Sequence, residues 1–312
     1  MVDIICIGHA AYDINFQLPS FPKEDLKLEI FKTIEEGGGP AANAAFLLSK
    51  WGVQCAFAGL IGNDLYGNQI KTEFEQVGTD LSLLEVSPEY QTPLSVVLVN
   101  KETGSRTIIN RKANDGFLSF SLDIAHHMNP AILMFDGHEP QASLAAIQLF
   151  PKALTILDAG SLRPGTEILA REVEYLVCSK RFALSLTGIP DLKRKANQQD
   201  CLYKIGKLNK NRCCVVTLGE DGLIWGNQEE FFYLPAFPAR AVDTTAAGDI
   251  FHGAFAYGIL TKKSIPDALK FAAMAASLSV SRLGGRRSIP SINEVNRALE
   301  VTRQSPAYRR DN

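Results

Sequence analysis

A doubly wound α/β domain, its mostly parallel sheet covered by helices on both faces and carrying a small inserted β-sheet lid, is the fold class the sequence predicts. One observation is a recurrence of short apolar runs between helix-like segments: Ile4–Ile7, Ala56–Leu60, Ile132–Phe135, Leu154–Leu157, Tyr175–Cys178 and Cys213–Leu218. Such runs suit buried strands of a parallel sheet joined by βαβ crossovers. A second is the pair of stretches that depart from this pattern. Leu26–Ile30 alternates apolar and polar residues, and Leu94–Asn100 with Ser105–Asn110 reads as a hairpin turning near Glu102-Thr103-Gly104. These are expected to be half-exposed antiparallel strands. The third is length, since 312 residues exceed a usual single domain yet fit one large α/β domain with an insertion.

The large domain is therefore expected over residues 1–13, 37–91 and 112–312, and the lid over 14–36 and 92–111. The first strand, within Met1–Gly8, lacks a basic segment and a long apolar core, so it is read as buried and not as a secretion signal. Gly59–Gly67 reads as a strand, a turn and an Asp-capped helix, with no chemistry assigned. Helices at Ile250–Leu260, Pro266–Arg282 and Ser291–Glu300 close the chain.

Composition excludes several classes. Values of 46% hydrophobic and 21% charged residues are ordinary for globular proteins, and a net charge of −2 gives no basis for a nucleic-acid or membrane partner. Lys193-Arg194-Lys195 reads as a solvated face and Arg309-Arg310 as a frayed tail. No apolar run is long enough to span a bilayer. The cysteines, Cys6, Cys55, Cys178, Cys201, Cys213 and Cys214, lack CxxC or zinc-ligand spacing, so reduced core positions in a cytoplasmic protein are expected.

The chemistry concentrates in Ala241–Gly253. A strand-like Ala241-Val242 leads into the small-residue turn Asp243–Gly248, and Asp249 stands where an apolar helix begins. Small residues at Ala246, Ala247 and Gly248 let a ligand approach the unpaired N–H groups of a helix start, which suits a phosphate. A carboxylate beside a bound anion is out of place unless it takes the proton of a hydroxyl attacking that anion, which makes Asp249 a candidate general base. The alternative is that Asp249 caps the helix while the alanines pack.

Glu36-Gly37-Gly38-Gly39-Pro40-Ala41-Ala42-Asn43 offers a second glycine turn, with Pro40 fit for a first helical position and Asn43 able to donate and accept. It is either a cradle for a polyhydroxylated ligand or a hinge before a packed helix. Asp13, just past the first strand, is either a ligand contact or a turn former. Val215–Gly222 reads as a buried strand entering a glycine turn, with a short strand at Leu223–Trp225. Ligands of open α/β sheets collect beyond the carboxyl ends of strands, so Gly219 is placed for a nucleotide. There is no GxxxxGK[ST], GxGxxG or HExxH, and Gly137-His138-Glu139 has no second histidine in zinc spacing.

Asp243–Gly253 resembles the C-terminal signature of the PfkB, or ribokinase-like, carbohydrate kinases, with Ala246 where the family more often has glycine. Glu36–Ala45 resembles its N-terminal signature and Gly8–Asp13 its entry to the sugar site. Gly59–Gly67 also matches a family segment. The resemblance runs from Gly8 to Pro290, nearest the branch of ketohexokinase-like and sulfofructose-kinase-like enzymes. It implies a ribokinase-like fold and ATP-dependent phosphorylation of a hydroxyl, a primary one by expectation, on a small sugar or sugar derivative. Asp249 would be the base beside the cradle Ala246, Ala247 and Gly248, while Asp13, Gly38, Gly39 and Asn43 would hold substrate hydroxyls.

By the same resemblance the nucleotide would meet Thr217, Gly219 and Gly222 together with Ala247 and Gly248. Ser279–Pro290 resembles the segment that closes over the nucleotide, which implies a monovalent-cation site for K⁺ from Asp243, Thr245, Gly285 and Ser288. Arg286 or Arg287 would face the phosphates or the solvent. Asn110 and Lys27 lie in lid segments, where they either touch the far end of a substrate or are exposed polar residues. The clearest departure is at Leu176–Ala183, where Ser179 and Phe182 stand in place of an Asn-x-x-Glu motif linked to magnesium. Phenylalanine cannot hold a metal-bound water, so Mg²⁺ is expected with its protein ligands unassigned. Sugar and ATP are the expected partners, and the lid is the expected face for pairing of two copies. A nucleoside (adenosine-like) kinase is the runner-up, and a catalytically silent sugar- or nucleotide-binding regulator is the alternative of another class.

Overall fold

The computed structural model describes residues 2–30, 33–111, 116–208, 213–227 and 229–304. The first part of the chain gives β1 (Ile4–Ile7), β2 (Ala11–Leu18), β3 (Thr33–Gly38), α1 (Pro40–Lys50), β4 (Cys55–Gly62), α2 (Leu65–Val77), β5 (Leu84–Ser87), β6 (Leu94–Asn100) and β7 (Arg106–Arg111). The middle gives α3 (Leu122–Ala125), β8 (Ile132–Phe135), α4 (Pro140–Leu149), β9 (Leu154–Ala159), α5 (Pro164–Ala170), β10 (Tyr175–Ser179), α6 (Lys180–Thr187) and α7 (Lys195–Gly206). The last part gives β11 (Cys213–Thr217), β12 (Leu223–Gly226), β13 (Phe231–Leu234), α8 (Ala247–Leu260), α9 (Ile265–Ser279) and α10 (Ile292–Gln304).

The main sheet has nine strands in the order β13-β12-β11-β10-β9-β8-β1-β4-β5. Its pairs are parallel except β11–β12 and β12–β13. Every residue of β1, β4 and β8 is buried, because helices cover both faces. The alternation of β1 feeds two cores. Ile4 and Cys6 pack on the face of α1, α8 and α9, and Ile5 and Ile7 on the face of α4 to α7. The chain leaves β1 for β4 on one side and later returns to β8 on the other. That reversal creates a crevice at the carboxyl ends of β1 and β8, where α/β sheets bind ligands.

A four-stranded sheet, β3-β2-β6-β7, stands apart from the main one. The expected hairpin Leu94–Asn100 with Ser105–Asn110 is β6–β7. Two expectations are corrected. The β2–β6 pair is parallel, so the small sheet is mixed and not wholly antiparallel. Leu26–Ile30 forms no strand, and its Leu26, Leu28 and Ile30 are exposed. The pairing strand is β3, whose Thr-Ile-Glu-Glu-Gly-Gly sequence hides its role because the buried Glu36 finds backbone donors. Alternation signals a strand only where a neighbour completes the ladder.

All the cysteines are buried and none is in a disulfide. Lys193, Arg194 and Lys195 are exposed at the start of α7, as expected, while Arg309 and Arg310 lie outside the described residues. Among the described residues no helix is long and apolar enough to cross a membrane.

Candidate active site

The turn before α8 brings a carboxylate to an open backbone cradle. Its last residue, Ala246, sits in the left-handed region at φ 57°, a conformation glycine adopts more cheaply than alanine. Asp249 is the third residue of the helix and not its cap, so the capping alternative does not hold. Its Oδ2 accepts a hydrogen bond of 2.7 Å from Asn43 Nδ2. Burial raises the Asp249 pKa, against the opposing effects of the Asn43 bond and the His252 and Arg106 charges. Gly248 is exposed, and a Cβ built on it would meet nothing within 4 Å.

His252, one turn further on, anchors this helix start to the main sheet. Its Nδ1 lies 3.1 Å from Asp158 Oδ2 and 2.5 Å from the Gly248 carbonyl, and Nε2 lies 3.1 Å from the Val177 carbonyl. His252 thus ties the Gly248 and Val177 carbonyls and the Asp158 carboxyl together. Burial pushes the Asp158 carboxyl up to about 7, with His252 opposing.

Opposite Asp249 lies the glycine turn. Gly39 precedes α1 at φ 99°, and Pro40 takes the first helical position. A Cβ on Gly38 would fall 2.2 Å from the Asp13 carboxylate, so only glycine admits this approach. Burial pushes Asp13 up to about 6, helped by the nearby Asp249 and opposed by Ser95, Arg286 and Arg106. Asp13 is in register with Ser95, and Ser95 with Asn110, which sets Asn110 two strands from Asp13 at an exposed position. Lys27 falls in the exposed segment outside the sheet. Asp13, Gly38, Gly39, Asn43 and Asp249 are thus gathered in one crevice.

Of the Arg286-Arg287 pair, Arg287 is exposed to solvent and Arg286 is not. Arg286 is 2% exposed, with Nη1 2.8 Å from Glu73 and Nε 3.2 Å from Asn43 Oδ1. Its guanidinium carbon sits 4.8 and 4.6 Å from the Phe46 and Phe74 ring centroids, as suits a desolvated cation. Nearby, Glu36 accepts from the N–H groups of Gly285 and Arg287. Asp243 accepts from Thr245 N at 2.8 Å and Gly284 N at 2.9 Å, and Ser288 Oγ donates to the Gly285 carbonyl at 2.7 Å. Asp243, Thr245, Gly285 and Ser288 therefore lie together. The Thr245 Oγ1 is buried with no partner among the described residues, as a cation ligand would be.

At the end of β11, where a nucleotide is expected, Thr217 Oγ1 donates to the Cys178 carbonyl at 3.3 Å, and Gly219 opens on free space at φ 68°. Gly222 has a packing reason, since its Cβ would fall 2.2 Å from the Leu234 carbonyl. Ser179 caps α6, accepting from Phe182 N at 3.1 Å and donating to the Gly160 carbonyl at 2.8 Å. Phe182 is fully buried in the core. Among the described residues no cluster of three or more His, Cys, Asp or Glu is arranged to hold a metal.

Several residues here carried no signal in the sequence. Arg106, on β7, donates from Nη1 to Thr244 O at 2.6 Å and Thr244 Oγ1 at 2.8 Å, joining the small sheet to the turn before α8. Asp136, after β8, accepts from the backbone N–H groups of His9 at 2.8 Å, Ala41 at 3.2 Å and His138 at 2.9 Å. Burial would raise it, but His138 and those N–H groups outweigh burial and hold its pKa below the usual value. His252 could have been found from its spacing of three after Asp249, which puts both on one side of the helix.

The fold matches that of an Arabidopsis thaliana ribokinase solved with ribose and ATP, with a TM-score of 0.81, 26% identity and coverage of 96% of this chain and 99% of that one. The sheet order and this likeness, with the family match, make the chain an ATP-dependent carbohydrate kinase of the ribokinase-like class. The pattern of the pfkB family carbohydrate kinases matches residues 1–292, and the chain belongs to that family. A ribokinase of Lactococcus lactis is 28% identical over 84% of this chain and 85% of its own. An ATP-dependent ribose-1-phosphate kinase of Halopiger xanaduensis is 26% identical over 95% of this chain and 97% of its own.

Proposed function

We propose that the protein transfers the γ-phosphoryl group of ATP to a primary hydroxyl of a small sugar or sugar derivative, with Asp249 as general base. The observation that carries this is the Asp249 carboxylate, fixed by Asn43 beside an open backbone cradle and across the crevice from Asp13. Asp249 takes the hydroxyl proton, the sugar oxygen forms its bond to the γ-phosphorus, and the bond to the bridging oxygen breaks to release ADP. Backbone N–H groups at Ala247 and Gly248 stabilise the charge that develops. Asp13, Gly38, Gly39 and Asn43 orient the sugar, with Asn110 toward its far end, and Thr217, Gly219 and Gly222 border the nucleotide. Mg²⁺ would supply charge neutralisation on the phosphates, and no side-chain cluster among the described residues is assigned to hold it. Asp243, Thr245, Gly285 and Ser288 would hold K⁺, a reading supported by the unpartnered Thr245 hydroxyl.

The small sheet acts as the lid in this reading, with Arg106 latching it to the phosphate turn. Ile109, 58% exposed on β7, gives that sheet an apolar patch for pairing of two copies. A cytoplasmic setting suits the buried thiols.

ADP release with ketoses, aldoses and nucleosides tests the proposal. Sugar-dependent turnover supports it; turnover of adenosine alone makes the enzyme a nucleoside kinase; ligand binding without turnover makes it a silent regulator. Gly248→Val should lower kcat about tenfold or more, since a displaced phosphoryl group forfeits in-line geometry. Its melting temperature should hold, because the added side chain meets nothing in the fold. An unchanged rate in well-folded variant would remove this turn from phosphate binding.

A further inference from the structure

The three glycines before α1 are each matched to a different neighbour. A Cβ on Gly38 would meet Asp13 and one on Gly39 the His9 carbonyl, whereas one on Gly37 would fall 2.3 Å from Arg286 Nη1. Gly37 thus leaves room for a guanidinium that comes from the far end of the chain. Phe46 of α1 and Phe74 of α2 wall Arg286 in, and Glu73 of α2 is its ion-pair partner. The same Glu73 carboxylate accepts from Gly37 N at 2.9 and 3.1 Å. Burial lowers the Arg286 pKa from its ordinary value, with Glu73 opposing, and Nη2 is buried with no partner among the described residues. A buried ion pair of this kind often stabilises a fold no better than apolar side chains of similar volume, so stability alone does not account for it.

The contact with Asn43 does. Arg286 Nε donates to Asn43 Oδ1 at 3.2 Å, and Asn43 Nδ2 donates to Asp249 Oδ2 at 2.7 Å. The two ends of an asparagine amide are nearly equal in shape, so packing does little to stop it turning over. A guanidinium has donors only and an ionised carboxylate acceptors only, which leaves the amide between them one acceptable orientation. Turned over, it would set its NH2 against the Arg286 N–H and its oxygen against the Asp249 carboxylate. Asn43 is 3% exposed, so water is poorly placed to repair either contact.

Building on the kinase reading above, we infer that Arg286 is a positioning residue: by donating to Asn43 Oδ1 it fixes which end of that amide faces Asp249, and so secures a hydrogen bond that favours the ionised base. Glu73 in turn holds Arg286, so the support runs from α2 through the Gly284–Ser288 turn and α1 to α8. His252 and Arg106 also favour the Asp249 charge, while Asp13, Asp136 and Asp158 oppose it. Removing Arg286 therefore has two separable effects, loss of one more positive charge and loss of the amide orientation. Only the second requires Asn43.

The test uses protein labelled with ¹³C at the aspartate carboxyls, with Asp249 assigned by the signal that vanishes in Asp249→Asn. Wild type, Arg286→Gln, Asn43→Ala and the double variant are titrated, and each is checked for melting temperature. Donation from Asn43 lowers the Asp249 pKa, so its loss raises it. Arg286→Gln should raise that pKa by about one unit, the size of one hydrogen bond to a charged group, because a glutamine amide no longer dictates the orientation of Asn43. Asn43→Ala should raise it comparably, and adding Arg286→Gln to Asn43→Ala should add less than half of the shift it causes alone. Arg286→Lys keeps a donor-only head and should retain part of the wild-type value; it carries the same comparison if Arg286→Gln does not fold. In ADP release with D-ribose and D-fructose, the acid limb of kcat/KM should move up with the titration while KM for ATP stays put. An equal shift with and without Asn43 overturns the inference and leaves Arg286 to act by charge alone. An unmoved Asp249 in well-folded Arg286→Gln overturns it too. The titration needs no substrate, so the two readings fail separately: wild-type turnover in Asp249→Asn ends the base assignment alone, and coupled shifts uphold the positioning even where neither sugar is phosphorylated.

Discussion

Asp249→Asn should lower kcat by ~10²-fold or more, the range typical of losing a general base. The amide keeps the size of the side chain, and its oxygen can still accept from Asn43. It cannot take a proton at neutral pH, so ATP affinity and melting temperature should stay near those of the wild type. The wild-type kcat/KM should fall as pH drops through the raised pKa of Asp249, a limb lying above the ~3.9 of an ordinary aspartate. Asp13, pushed up to about 6 and coupled in charge to Asp249, makes that limb a property of both carboxylates. Rapid-mix and steady-state rates across pH check both parts. Wild-type-like kcat in the variant would end the assignment.

Phe182→Ala should cost about 3–5 kcal/mol of stability, the usual range for truncating a fully buried aromatic, with the Mg²⁺ requirement little changed. The ring is 0% exposed among Leu176, Cys178, Cys201 and Leu202 and offers no ligating atom. Denaturant unfolding measures the stability loss, and Mg²⁺ titration at saturating sugar measures the metal requirement. A large rise in that requirement with little loss of stability would mean that this segment organises the metal after all.

The parts legible in the sequence are those whose physics is local. β1 and β8 were readable to the residue because all their positions are buried. Leu26–Ile30 misled because its alternation has no pairing partner. Arg106 and Asp136 were unreadable for the opposite reason. Arg106 meets Thr244 138 residues away, and Asp136 meets Ala41 95 residues away. An isolated charged residue carries no mark of the distant backbone it will hold. Arg286 was misjudged similarly, since a paired Arg286-Arg287 reads as surface until Glu73 and two phenylalanine rings enclose the first of them.

The Gly284–Ser288 turn also has a consequence in time. Glu36 and Asn43 are made early, yet their partners Gly285 and Arg286 stand 249 and 243 residues later. On a ribosome adding roughly 5–20 residues per second, these early groups wait tens of seconds for the contacts that fix them. A nascent chain therefore carries its glycine turn and its Asn43 long before the crevice can take shape. Competence arrives with nearly the last helix, so a chain cut off before Gly285 would display most of the recognisable sequence and lack the stitches that set Asn43 against Asp249.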